Sequence, residues 1–315
     1  MTSTYKPNWL FKNPHVNTIW SNKLRKVVLL EYQRKRLTTP DGDFIDIDTI
    51  LQENSTAVIL IHGLEGNSDS NYIKRLASTL LQNGFDIFSV NLRGCSGEPN
   101  LVRGYYNSGR TEDLLLVIQH LENQYNYNAI NIAGFSLGGN LTLKYLGETG
   151  NTSINRAVAI SVPCDLKSSS LQLEKGFNKI YNYRFVRSLQ EKILPKVEQF
   201  PDFGLTHQQL KSVKTLYEFD DLYTGPYHNY KNADDYYQKC SSKQFIQDIQ
   251  TPTLLINALD DPFLPPQCYP FDEAKQNPNF YLEVPKYGGH VGFMTSFNDT
   301  VLWHEQRILD FFETN

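Results

Sequence analysis

A single serine stands between two glycines in Gly134-Phe135-Ser136-Leu137-Gly138, after the apolar run Ala129–Ala133 and before a pattern of Leu141, Leu143, Tyr145 and Leu146. Strand, Gly-x-Ser-x-Gly, helix is the context that makes this motif a nucleophile elbow. The turn is so tight that Gly134 and Gly138 need nearly bare Cα atoms, and it lifts the Ser136 hydroxyl above the sheet. A serine hydroxyl is a weak nucleophile near neutral pH, so an imidazole must take its proton during attack. A buried carboxylate must fix that imidazole in the right tautomer. The oxyanion that forms needs preorganised N–H donors, and Leu137 supplies the first.

In open parallel sheets, sites form beyond the carboxyl ends of strands, so the acid and base are expected after later strands. Asp261 follows the run Thr253–Leu259, in Asp261-Pro262-Phe263-Leu264-Pro265, and His290 follows Phe280–Val284, in Gly288-Gly289-His290. The chain order Ser136, Asp261, His290 is a known triad order. Asp260 competes with Asp261, and only the spacing to Pro265 favours Asp261. His62-Gly63-Leu64-Glu65-Gly66 ends an earlier strand-like run. Its Leu64 N–H is the candidate second oxyanion donor, with His62 and Gly63 shaping the loop. His15, His120, His207, His228 and His304 occupy no position where a base is expected and read as structural. Cys95 and Ser96 lie between Gly94 and Gly97, but without strand–turn–helix context they read as a structural turn.

These residues need a scaffold, and the pattern supplies one. Thr56–Ile61, Phe85–Val90, Ala129–Ala133, Arg156–Val162, Thr253–Ala258 and Phe280–Val284 read as strands. Amphipathic helices alternate with them over Asp69–Gly84, around Leu114–Leu121, after the elbow, and over Val301–Phe312. Such alternation predicts a mostly parallel sheet with helices on both faces. Val27–Lys35 and Phe44–Ile50 flank the Pro40-Asp41-Gly42 turn and predict an antiparallel hairpin at the sheet edge. The alternation breaks between Cys164 and Ser242, where a structureless loop of that length would be implausible. A helical cap or lid insertion, 164–242, is expected over a core of 1–163 and 243–315, with no internal repeat.

The rest of the composition excludes more than it assigns. A net charge of -4 argues against a nucleic-acid platform, which carries a basic surplus. The local basic runs, Lys23, Arg25, Lys26 and then Arg34, Lys35, Arg36, read as solvated faces of the first strands. Aromatic residues at 13% suit an apolar cleft as well as a core. Cys95, Cys164, Cys240 and Cys268 show neither paired nor metal-ligand spacing, which suits a reducing compartment. The acidic pairs Asp220-Asp221 and Asp234-Asp235 have no His or Cys at ligand spacing and read as helix caps or solvated loops. No Gly-x-Gly-x-x-Gly or Walker sequence is present, so no cofactor and no metal are expected. The N-terminal residues show no signal peptide, and no apolar run is long enough to span a bilayer. A soluble cytoplasmic protein is expected.

The chain resembles the YheT-like branch of the α/β-hydrolase superfamily, bacterial ester hydrolases related to yeast medium-chain acyltransferase/esterases and to animal lipid hydrolases. The resemblance is carried by Asn13–Trp20, His62–Gly66, Asn91–Asn100, Gly134–Asn140, Asp260–Phe263 and Gly288–Phe293. Inside the insertion it is carried by Glu174–Phe177, Leu210–Val213 and Glu218–Leu222. It implies the α/β-hydrolase fold and a triad at Ser136, Asp261 and His290. The animal members carry an N-terminal membrane anchor, and none is expected here. The expected activity is hydrolysis of small-molecule carboxylic esters of short or medium acyl length. Acyl transfer to an alcohol is the alternative, and a non-catalytic binding protein on the same fold is a third reading.

Overall fold

Runs of β-branched residues and leucine pair into one sheet in the computed structural model, which describes residues 2–25, 28–150, 153–200 and 202–314. The strands are β1 (Gln33–Thr38), β2 (Phe44–Ile50), β3 (Thr56–Ile61), β4 (Asp86–Asn91), β5 (Ala129–Phe135), β6 (Ile154–Ile160), β7 (Thr253–Ile256) and β8 (Phe280–Glu283). Their order across the sheet is β1-β2-β4-β3-β5-β6-β7-β8. β2 runs antiparallel to both β1 and β4, and every other pairing is parallel.

The helices are α1 (Pro14–Ile19), α2 (Asn71–Gln82), α3 (Thr111–Gln124), α4 (Leu137–Thr149), α5 (Leu166–Leu173), α6 (Lys179–Gln199), α7 (His207–Ser212), α8 (Leu216–Phe219), α9 (Gly225–Tyr227), α10 (Ala233–Cys240), α11 (Phe271–Gln276) and α12 (Trp303–Glu313). β3 is apolar from Ala57 to Ile61 because both of its faces are covered. Val58 and Leu60 pack with Ile73, Leu76 and Leu80 of α2 and with Ile308 and Phe312 of α12. Ile59 and Ile61 face the opposite side, with Leu114 and Val117 of α3 and Leu141 of α4. Ile59 is fully buried, so truncating it to alanine would cost about 2–5 kcal/mol.

The expected hairpin forms, but its first strand is displaced. The turn is closed by Thr39 N–H to Asp43 O and by Gly42 N–H to Thr39 O, with Gly42 at φ 79°. That turn fixes the register Gln33↔Thr49 to Thr38↔Phe44, so β1 covers 33–38 and not 27–35. Val27 and Lys26 lie outside the described residues. The basic side chains Arg34 and Arg36 are exposed on β1, as expected, and make ion pairs with Asp48 and Asp46 of β2 at 2.7 Å.

Between β6 and β7 the chain builds α5 to α10 and no strand among the described residues. Leu189 and Ile193 of α6 and Phe219 and Tyr223 join the core on the α3–α4 side of the sheet. The loops at the carboxyl ends of β3, β5, β7 and β8 therefore open beneath this helical segment.

Candidate active site

Glycine at 134 and 138 allows β5 to turn into α4 at Ser136. A Cβ on Gly134 would stand 2.5 Å from the Gly138 carbonyl oxygen, and one on Gly138 would stand 2.5 Å from the carbonyl oxygens of Ile61 and His62. Ser136 itself is held at φ 51°, ψ −116°, a strained conformation that costs on the order of 1–3 kcal/mol. Its N–H donates to Ile160 O at 2.8 Å, which ties the turn to β6.

The loops after β7 and β8 bring two further side chains to this hydroxyl. His290 Nε2 lies 3.1 Å from Ser136 Oγ, and His290 Nδ1 lies 2.9 Å from Asp261 Oδ2. The Asp261 side chain is fully buried, and its Oδ1 also accepts the Phe263 N–H at 2.9 Å. An ionised carboxylate only accepts, so Nδ1 carries the imidazole proton and Nε2 is left facing the serine as an acceptor. Asp260 points elsewhere. Its Oδ1 accepts the Gly289 N–H at 2.9 Å, and its Oδ2 is buried without a partner among the described residues. Burial, with the adjacent Asp261 charge, pushes the Asp260 carboxyl up to about 6.

The histidine loop is braced from three directions. Gly289 sits at φ 58° and Val291 at φ 56°, the latter a strained value for a β-branched residue. Thr18 Oγ1 on α1 accepts the His290 N–H at 2.8 Å, Ser161 Oγ accepts the Val291 N–H at 2.9 Å, and Asn17 Oδ1 accepts the Met294 N–H at 3.1 Å. The contact with α1 is close enough that a Cβ on Gly289 would stand 2.5 Å from Pro14 O. Sequence reasoning assigned no role to Asn17 or Thr18. A signal was present: Asn13 caps the helix by accepting the His15 and Val16 N–H groups, with Pro14 at the first helical position. Both residues lie one turn on.

The loop after β3 is the one in which the second oxyanion donor is expected. His62 is completely buried, and burial pushes its pKa down to about 4. Its Nε2 accepts the Leu92 N–H at 3.1 Å, so Nδ1 must hold the proton and donate to Gly63 O at 2.7 Å. His62 is thus a neutral brace between two loops. The turn closes through Gly66 N–H to Gly63 O, and Leu64 lines the same cavity as Ser136, Leu137 and His290. Leu137 is the first residue of α4, where a backbone N–H has no intrahelical acceptor.

Glu65 is a site residue that the sequence did not single out. Its buried carboxylate accepts from Tyr106 Oη at 2.9 Å, from Lys192 Nζ at 3.2 Å and from Ser188 Oγ. Its own N–H donates to Tyr106 Oη at 2.7 Å. The Leu64 loop is thereby fastened to α6. Nothing in the local sequence distinguishes this glutamate from a surface residue, because its partners lie far along the chain.

The other candidates stand apart from Ser136. His15 Nδ1 contacts Tyr181 Oη, His228 bridges Thr224 O and Tyr105 O, and His304 is buried in α12. His120 lies on α3, and His207 faces Glu198. Cys95 is buried, and burial pushes its thiol up to about 11, which disfavours a thiolate nucleophile. Among the described residues no group of three or more His, Cys, Asp and Glu is arranged to hold a metal ion. Asp221 does accept a helix N–H, that of Ala233, but its neighbour Asp220 is buried and not solvated.

A cavity runs from Ser136, Leu137 and His290 into the helical segment, where Leu166, Leu173, Leu189 and Phe219 line it. A second cleft meets the same serine from the side of α1 and is lined by Thr18, Asn22, Tyr72 and Arg184. Leu64, Phe185, Phe263 and His290 border both. No helix among the described residues is long and apolar enough to cross a membrane.

Comparison with known proteins agrees with this architecture. The chain is 34% identical to YheT of Escherichia coli over 311 residues, covering 96% of this chain and 91% of that protein. It is 32% identical to phospholipase ABHD3 of Bos taurus, covering 93% of this chain and 74% of that one. The esterase Pf2001 of Pyrococcus furiosus superposes with a TM-score of 0.62 at 19% identity, covering 93% of this chain and 96% of that one. Residues 56–297 match the alpha/beta hydrolase fold family. The chain belongs to the α/β-hydrolase fold family, in its YheT-like branch.

Proposed function

We propose that the protein is a serine hydrolase that cleaves carboxylic esters of short or medium acyl length through an acyl-enzyme. The observation that carries this is His290, suspended between Asp261 at 2.9 Å and Ser136 at 3.1 Å. Ser136 Oγ attacks the ester carbonyl carbon while His290 Nε2 takes its proton. The carbonyl oxygen becomes an oxyanion facing the N–H groups of Leu137 and Leu64. His290 then returns the proton to the leaving alcohol oxygen, and the C–O bond breaks. A water repeats the sequence in reverse, with His290 as its base, and releases the acid. Asp261 stays ionised throughout and stabilises the imidazolium.

Relatives that bear the names phospholipase and monoacylglycerol lipase support ester chemistry as the reaction class. The apolar cavity under the helical segment suits an acyl chain, and the cleft beside α1 suits the alcohol. In this reading 164–242 is a cap on a core of 1–163 and 243–315. The four cysteines are buried free thiols, which suits a cytoplasmic location. Mixing enzyme with excess p-nitrophenyl ester should release a burst of about one p-nitrophenol per active site before the steady state. A purely linear release from the first turnover, with no acyl-enzyme in the mass spectrum, would contradict it.

A further inference from the structure

The acyl cavity holds a group that ester hydrolysis does not use. Asp220 begins the π-helical turn Asp220–Thr224 between α8 and α9, and it lines the same cavity as Ser136 and His290. The residue is only 7% exposed. The cavity is lined by Leu166, Leu173, Leu216 and Phe219 together with hydroxyl side chains such as Ser170, Thr224 and Tyr237, and among the described residues Asp220 is the one carboxylate on that lining. A carboxylate is expensive to bury in such company unless its acceptor sites are filled.

The protein fills only some of them. Tyr237 Oη lies 2.6 Å from Asp220 Oδ2 and 3.1 Å from Ser170 Oγ. A phenol has one proton, so Tyr237 donates to the carboxylate and accepts from Ser170. The Thr224 side chain also acts on this carboxylate and favours its charged form. A carboxylate has about four lone-pair sites, so acceptor capacity remains on a residue that lines the cavity. None of these bonds involves Ser136, Asp261 or His290. Asp220 is therefore a charged acceptor on the wall of the acyl-binding space that the proton transfers at Ser136 do not use.

Resting on the ester-hydrolase reading above, we propose that Asp220, oriented by Tyr237, is a specificity residue that accepts a hydrogen bond from a hydroxyl carried on the acyl chain. The preferred substrates are then esters of hydroxylated acids, not of plain alkanoic acids. A hydroxyl fits this wall better than an ammonium group does. Tyr237 and Thr224 already offset part of the Asp220 charge, and an ammonium would lose far more hydration among leucine and phenylalanine side chains than a hydroxyl would.

The test is a panel of p-nitrophenyl esters of equal chain length, with a hydroxyl, an ammonium or a methyl group placed at successive carbons of the acyl chain. At one position or a narrow set, the hydroxyl ester should exceed the methyl ester in kcat/KM by about 10–100-fold, the range of a hydrogen bond to a charged group. Asp220→Leu should bring that ratio to about 1 or below, and Asp220→Asn should reduce it several-fold. Fluorophosphonate labelling of Ser136 reports whether each variant keeps a folded site. If Asp220→Leu fails to label, Asp220→Asn carries the comparison. Loss of labelling in the parent protein would strike at the esterase reading instead. A parent protein with no hydroxyl preference at any carbon overturns the proposal. So does a preference that survives in a variant that still labels, or a larger preference for the ammonium ester.

Discussion

Asp260 and Asp261 are adjacent, equal in chemistry and distinguished only by where their carboxylates point, so replacing each by asparagine separates their roles. Asp261 Oδ1 and Oδ2 are both engaged, by Phe263 N–H at 2.9 Å and by His290 Nδ1 at 2.9 Å. Asparagine at 261 has one acceptor and one donor for these two N–H groups. If its NH₂ faces His290, the ring must give up the Nδ1 proton and carry it on Nε2, where it can no longer accept from Ser136. If its NH₂ faces Phe263, the backbone N–H loses its acceptor in a buried loop. The first arrangement lowers kcat by about 10⁴-fold, equivalent to about 5 kcal/mol of transition-state stabilisation. Asp260 makes its contact through one oxygen, to Gly289 N–H at 2.9 Å, and an amide oxygen can take over that bond. Asp260→Asn should therefore stay within about 3-fold of the parent, since it leaves Nδ1 and its partner untouched. Steady-state hydrolysis of one p-nitrophenyl ester, with active sites counted by the burst, measures both. Equal losses in the two variants, or the larger loss in Asp260→Asn, would refute the assignment of Asp261 as the partner of His290.

The same pair gives a stability prediction. The Asp260 carboxyl, at about 6 in the fold against about 4 in the unfolded chain, holds its proton longer when folded. Parent stability therefore falls as pH rises from about 4 to 6 and stays reduced above it; Asp260→Asn escapes this. The variant should gain about 1–2 kcal/mol relative to the parent between pH 4 and pH 7.5 in urea titrations, after allowance for its partial exposure. Gly138→Ala would drive a Cβ to 2.5 Å from the Ile61 and His62 carbonyl oxygens, neither of which can yield freely. It should lower stability by about 1–3 kcal/mol and reduce kcat, whereas Gly97→Ala meets nothing within 4 Å and tests only its φ of 96°. Glu65→Ala removes the acceptor shared by Tyr106, Ser188 and Lys192. It should loosen the Leu64 N–H and lower kcat by about 10–100-fold, less than the loss of a whole oxyanion donor, with Ser136 still labelled by a fluorophosphonate.

What the sequence could reveal depended on how local each cause was. β3 was legible residue for residue, because five consecutive buried positions leave an apolar run that a turn must end. The elbow was legible because its glycines are forced by contacts at 2.5 Å within or beside the turn. β1 was misplaced because its extent is set by the Thr39–Asp43 turn and its partner on β2, not by its own hydrophobicity. Asp220 read as a helix cap or a solvated loop residue because an acidic pair between helices looks polar. Its burial comes from Tyr237, on a different helix. Thr18 and Glu65 were missed for the same reason, since each acts on a loop distant in the chain. Asp261 and Asp260 could be ranked from spacing, but the direction of each carboxylate is a tertiary fact.

The central claim is that Ser136 is the nucleophile of an acyl-enzyme mechanism, and the Ser136→Ala variant tests it most directly. With its Oγ removed, His290 Nε2 at 3.1 Å has no proton to take, and kcat for p-nitrophenyl esters should fall by about 10⁶-fold. The folded variant should also fail to react with a fluorophosphonate that labels the parent at Ser136. A Ser136→Ala protein that hydrolyses the same ester at the parent rate would contradict the account.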